Sequence, residues 1–242
     1  MTGTPSLAAL EIPLTSVPAR RNRSGDAACG TPSPADLRFA LERALDPAAA
    51  AWLSTAGERV RASAGEIASL FPAAGRSCGH GPLPGLSDWT MADAARALLL
   101  LAVPVRDDRR LAETLTCYRY GDAAERLSVL RSLPLLGLGP AAIELTEDAL
   151  RTNDGRLLKA AVGPYAARHL SQPLWRHAVL KCLFTEVPLS SVAALRDRCD
   201  APLLRMLGDL VREREAAGRP APPDAVALLA APPTVPPTRS GV

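Results

Sequence analysis

Prolines set the length of the helices this chain can form. There are 23 of them among 242 residues, and nine fall where a helical pattern begins or ends. Pro34, Pro47, Pro140, Pro164, Pro173 and Pro202 stand at helix openings, where a missing N–H is harmless because first-turn amides have no intrahelical acceptor. Pro72, Pro104 and Pro188 stand at helix ends, since the residue before a proline is pushed out of the helical region. Between these marks leucine and alanine recur at spacings of three and four, the period of a one-sided apolar helix.

The segments read in order as short helices. Leu37, Ala40, Leu41, Ala44 and Leu45 form the face of a first one. A second runs over Pro47–Ala62, anchored by Trp52, Leu53 and Val60, and a third over Ala64–Leu70, ending before Pro72. The stretch from Pro72 to Gly85, rich in glycine and proline, is expected to be a loop. Further helices are expected over Asp88–Ala102, capped by Ser87 and Asp88, and over Asp108–Cys117, Asp122–Leu133 and 140–151. Asn153 or Thr152 is expected to cap a helix over Arg156–Val162, followed by Tyr165–Leu170, Leu174–Phe184, Leu189–Leu195, Ala201–Ala216 and a short Asp224–Ala230. The aromatic share is only 4%, and residues that favour strands are scarce. The fold class is therefore all-α, an irregular array of antiparallel helix pairs with HEAT-like rhythm. The body is expected at 34–218, with a disordered tail at 1–33, a short extended piece at Leu10–Leu14, and a proline-rich tail at 219–242.

Leu174–Phe184 is the most apolar bounded segment. Trp175, Ala178, Val179, Cys182 and Leu183 share one face, Leu174 and Leu180 flank it, and His177 and Lys181 form a narrow polar strip beside Phe184. A helix this apolar belongs in a core, and its lysine is either a rim residue with its stem packed or part of a site.

Charge and cysteine usage exclude some classes. The chain has 28 basic and 25 acidic residues, interspersed, with no basic stripe of the kind nucleic acids select. Its five cysteines form no CxxC or Cys/His cluster, as expected of reduced thiols. Cys78 and His80 lie two apart, but two ligands without further partners do not make a metal site. No basic region followed by an apolar run marks a secretory signal, and Ala97–Val103 is far short of a membrane span. GxSxG, HExxH and GxxxxGK[ST] motifs are absent from the sequence, so no catalytic residue, metal or cofactor is assigned.

The candidate ligand-binding residues are Arg151, Asn153, Tyr165, His177 and Lys181, which lie on successive elements. Arginine and lysine bind anionic groups and asparagine fixes orientation, as in a pocket for an anionic or polyol metabolite. The same residues also have structural readings: Asn153 as a cap, Arg151 as cover for its own helix end, Tyr165 as packing. Glu144, Glu147 and Asp148 read as a solvated helix face, and His169 and His177, on either side of the turn at 171–173, as residues at helix ends.

The segments ARALLLLAVP, LRSLPLL, LRTNDGRLLKAAVGPYAARHL, WRHAVLKCLF, the pair Pro188-Leu189 and LLRMLGDLVREREAAGRP occur in this order between residues 88 and 220. In that ordered set the chain resembles the EboA family of bacterial metabolite-traffic proteins. It departs from the family where Gly163-Pro164-Tyr165 lacks a preceding asparagine, and in having no aromatic near Glu215 or after the GRP turn. The resemblance implies a non-enzymatic accessory role in moving a secondary-metabolite precursor of cyclitol or prenyl type. The partners it implies are a UbiA-like prenyltransferase, a dehydroquinate-synthase-like cyclase and a TIM-barrel protein encoded nearby. The implied location is the cytoplasm or the cytoplasmic face of the inner membrane. The residues themselves leave two other readings open, a helical scaffold that docks partner enzymes and an enzyme of unrecognised chemistry.

Overall fold

The computed structural model describes residues 31–105 and 108–231. Of the tail expected at 1–33, residues 1–30 lie outside these residues, and the Leu10–Leu14 piece with them; of the tail expected at 219–242, residues 232–242 lie outside and Pro223–Ala230 is helical. Among the described residues thirteen α-helices run in chain order. They are α1 Pro34–Ala44, α2 Pro47–Ala62, α3 Ile67–Cys78, α4 Met91–Ala102, α5 Arg109–Tyr120, α6 Ala123–Ser132, α7 Ile143–Ala149, α8 Gly155–Ala161, α9 Pro164–His169, α10 Gln172–Phe184, α11 Leu195–Arg198, α12 Ala201–Ala216 and α13 Pro223–Ala230. The described strands are β1, Pro82–Leu83, and β2, Leu86–Thr90, an antiparallel pair. The protein is all-α apart from this hairpin. Among the described residues no helix is long and apolar enough to cross a membrane. The chain divides into two compact units, 1–145 and 146–242, with the division inside α7.

In the first unit α4 is the central element. Every residue from Ala92 to Ala102 is buried, and α1, α2, α3 and α6 pack on it. Thr90 caps it: its Oγ accepts from the Asp93 N–H, and the Asp93 carboxylate accepts from the Thr90 N–H. Such a reciprocal pair satisfies two amides that a helix start leaves open. The expected caps, Ser87 and Asp88, lie instead in β2, because the hairpin carries the chain extended as far as Thr90.

Asp93 and Arg96 also have charged partners on α6. Asp93 accepts from Ser128 at 2.6 Å and from Arg131. Arg96 donates to the Phe71 carbonyl at 3.1 Å and to Ser128 at 3.3 Å, and its Nη2 lies 3.5 Å from Glu125. Buried charge is costly unless paired, and each of these charges meets its complement. At the other end of α4, buried Arg110 donates to the carbonyls of Leu101, Val103 and Leu136. It closes the helix end that has no amide left to satisfy its last carbonyls.

One expected boundary moves. The third helix begins with a 3-10 turn at Ala64–Glu66 and then runs through Pro72 to Cys78. The residues after the proline, Ala74, Gly75 and Cys78, are buried, so only the part of the expected loop beyond Cys78 is non-helical. Between α5 and α6 the chain turns at Gly121, where a Cβ would lie 2.4 Å from the Cys117 carbonyl oxygen.

The second unit is organised around α10. Trp175, Ala178, Val179, Cys182 and Leu183 are its buried face, as the spacing predicts. The helix is wetter than expected on the other side, where Leu174 is 42% exposed and Phe184 59%. Arg198 lies over the Trp175 ring, 4.9 Å from its centroid. Its guanidinium donates to the carbonyls of Ala166, Ala167 and Leu170 and to the Gln172 side chain. Asp200 caps α12 by accepting from the Leu203 N–H, and it holds Arg176 of α10 through both carboxylate oxygens. The α8 cap is Asp154 rather than Asn153 or Thr152: its carboxylate accepts from the Arg156 N–H, while Thr152 Oγ accepts from the Asp154 N–H. α13 packs against α12, and Asp224 at its start accepts from the Leu189 N–H at 2.7 Å.

Candidate functional site

Two helical stripes in the second unit face a common space. Glu147, Leu150 and Arg151 follow one another at three and four along α7 and the turn after it. Leu174, His177, Ala178 and Lys181 repeat the same spacing along α10. Residues three and four apart share a helix face, so each segment contributes one row. Together the two rows line a cavity of about 220 Å³.

The lining divides by chemistry. Leu150, Leu174 and Ala178 are apolar, Arg151 and Lys181 are cationic, Glu147 is anionic, and His177 offers ring nitrogens. The side chains of Glu147, His177 and Lys181 make no hydrogen bond or ion pair among the described residues. Arg151 has one loose contact, 4.0 Å to Asp148, with both side chains more than half exposed, and pairs of that kind contribute little. Arg176 on the same α10 is engaged quite differently. Asp200 grips it at 3.0 and 2.6 Å and holds its pKa above the usual arginine value, chiefly through that hydrogen bond.

Of the five residues singled out in the sequence, Arg151, His177 and Lys181 converge on this cavity and two do not. Asn153 is exposed and outside the lining. Tyr165 is buried, with its ring 4.7 Å from that of His169, the last residue of α9. His169 thus stands at a helix end and His177 lines the cavity. The acidic trio on α7 separates in the same way: Glu144 bridges to Arg119 at 2.9 Å in the first unit, whereas Glu147 faces the cavity. Glu147 was the residue sequence reasoning missed. Its one available signal was its position four before Arg151.

Among the described residues no group of three or more His, Cys, Asp or Glu is placed to hold a metal ion. Cys78 is buried at the end of α3, and His80 lies exposed beyond it. Burial pushes the Cys78 thiol up to about 11 and those of Cys117 and Cys182 up to about 12, which keeps them protonated and unreactive. The cavity lining contains no hydroxyl or thiol nucleophile. What it contains is suited to binding: cations for an anionic group, a carboxylate for a donor, and three aliphatic side chains.

Neither the curated proteins nor the solved structures contain a match to this chain. The family described as metabolite traffic protein EboA matches residues 77–230, a span that includes the whole cavity. The chain belongs to the EboA family.

Proposed function

We propose that this protein handles a small polar metabolite by binding it, without transforming it, in the cavity between α7 and α10. The observation that carries this reading is the set of uncommitted ionisable side chains there. Glu147, His177 and Lys181 line a half-open space and have no protein partner among the described residues. Side chains left without a protein partner are available to a ligand, which an anionic or hydroxylated metabolite would engage. The buried acid–base groups of the first unit do not compete as a site, because Asp93, Arg96 and Glu125 spend their hydrogen bonds on one another's helices. The family's metabolite-traffic description supports the role, and a secondary-metabolite precursor is the cargo we assign.

A second reading has one observation in its favour. Leu174 and Phe184 are exposed near the two ends of α10, and exposed apolar side chains suit docking of a partner enzyme, such as the prenyltransferase, cyclase or TIM-barrel protein of the same pathway.

The two readings separate at Lys181. We expect Lys181→Met to melt as the wild type does, since the stem stays packed, and to lower metabolite output in the producing cell. Wild-type output from that variant would overturn the carrier reading. Loss of output on Phe184→Ser with Lys181→Met unaffected would favour docking.

A further inference from the structure

The residues lining the cavity differ in how deep they lie. Arg151, Leu174 and His177 are exposed, and Glu147, Leu150 and Lys181 are half-buried. Ala178 alone among them is buried, at 3% exposed. It belongs at once to the lining and to the buried face of α10, where Trp175, Val179 and Cys182 are 0% exposed. The floor of the cavity is therefore a methyl group, and every ionisable side chain stands nearer the mouth. We infer that Ala178 sets the depth of this site, and that a ligand enters with its hydrocarbon part first, seated on the Ala178 methyl, with its polar part left at the mouth. This rests on the reading of the cavity as a metabolite site.

The order of burial selects that orientation. A polar group pushed to the floor would give up water and gain no partner, since the Ala178 side chain offers only carbon and its main chain lies within α10. A hydrocarbon part gains from the same move, because it leaves water as it covers the floor. At the mouth a polar group keeps its water and reaches Glu147, His177 and Lys181, which have no protein partner among the described residues. The size limit falls on position 178 because the floor cannot recede. Long side chains at the mouth can swing aside, whereas α10 is held from behind by Trp175, three residues before Ala178 on the same face and packed beneath the Arg198 guanidinium. Carbon added at position 178 then grows into the cavity and shortens it. The volume, about 220 Å³, is below the roughly 300–1,000 Å³ of sites for drug-sized ligands, so a few added carbons take up much of the depth.

The test is an NMR titration of the isotope-labelled full chain with ethanol, 1-propanol, 1-butanol and 1-pentanol, probes with one small polar head and a growing hydrocarbon part. We expect the Ala178 and Leu150 methyl resonances to shift, with affinity rising roughly fourfold for each added CH2 until the cavity is filled. Ala178→Leu should melt as the wild type does, because its extra carbons enter empty space. It should lose the response at Leu150 and lower metabolite output in the producing cell. Ala178→Ser, which nearly keeps the size and puts a hydroxyl on the floor, should fold and flatten the gain per CH2. A markedly lower melting temperature for Ala178→Leu would place that side chain in the core and overturn the assignment. No response at these methyls, equal affinity for all four alcohols, or an unchanged titration of Ala178→Leu would overturn the hydrocarbon-first ligand. In each of those cases, output that still falls in Lys181→Met would leave the metabolite site standing. Wild-type output from both Ala178→Leu and Lys181→Met would overturn this inference and the metabolite site together.

Discussion

Trp175 shows how one residue carries a unit's stability. It is 0% exposed, its ring lies beneath the Arg198 guanidinium, and its indole nitrogen has no hydrogen-bond partner among the described residues. The last point separates packing from polar contributions. Trp175→Ala should lower unfolding free energy by about 3–5 kcal/mol, the usual cost of emptying so large a buried site. Trp175→Phe should cost less than half as much, because no hydrogen bond is lost with the indole; urea denaturation of the two variants checks both values. Asp200 makes an acid-dependent contribution. Burial alone would raise its pKa, but hydrogen bonds from Arg176, Leu203 and Gln172 together bring it below the ordinary aspartate value. A carboxyl depressed in the folded state stabilises above its unfolded pKa of about 3.9, and that stability is lost as pH falls through the folded value. The wild type should therefore lose thermal stability below roughly pH 4, and Asp200→Asn should melt lower at neutral pH with a flatter acid limb. The burial of Trp175 is legible in the sequence from its spacing. The role of Arg198 is not, because its partners are mostly main-chain carbonyls, which every residue supplies and no residue type marks.

Among the elements, α3 is where local rules and tertiary packing disagree. An interior proline removes a hydrogen bond and costs about 3 kcal/mol, and Phe71 before it is pushed away from helical geometry. Burying one phenylalanine contributes about 1.5–3 kcal/mol, and Phe71 is buried with its carbonyl and ring both engaged by Arg96. With Ala74 and Cys78 also buried beyond the proline, packing prevails and the helix continues. Pro72→Ala should restore the missing N–H and raise stability by about 1–3 kcal/mol, read as a higher melting temperature. A lower one would show that the ring itself packs usefully against the unit. The same conflict explains the displaced start of α4: Ser87 and Asp88 are good caps by residue type, but pairing of β2 with β1 overrides them and leaves the work to Thr90.

At the scale of the whole molecule, the class was readable because scarce strand formers and a persistent three-and-four spacing agree with each other. The cavity was readable only in part. Arg151, His177 and Lys181 stand out as charges beside apolar runs, while Glu147 looks like any solvated acid until α7 is seen to face α10. Sequence periodicity reports which side of a helix is apolar, and it carries no record of which other helix lies across a gap. The four buried cysteines among the described residues fall in pairs, Cys78 and Cys117 in the first unit, Cys182 and Cys199 in the second. With protonated, shielded sulfurs, none can react with an alkylating reagent until the unit around it opens. Pulsed labelling followed by peptide mass spectrometry should find these cysteines modified two by two, each pair at the opening rate of its own unit. Modification of Cys199 well ahead of Cys182 would contradict that. The chain thus carries two internal clocks, one for each unit, and neither needs an added probe.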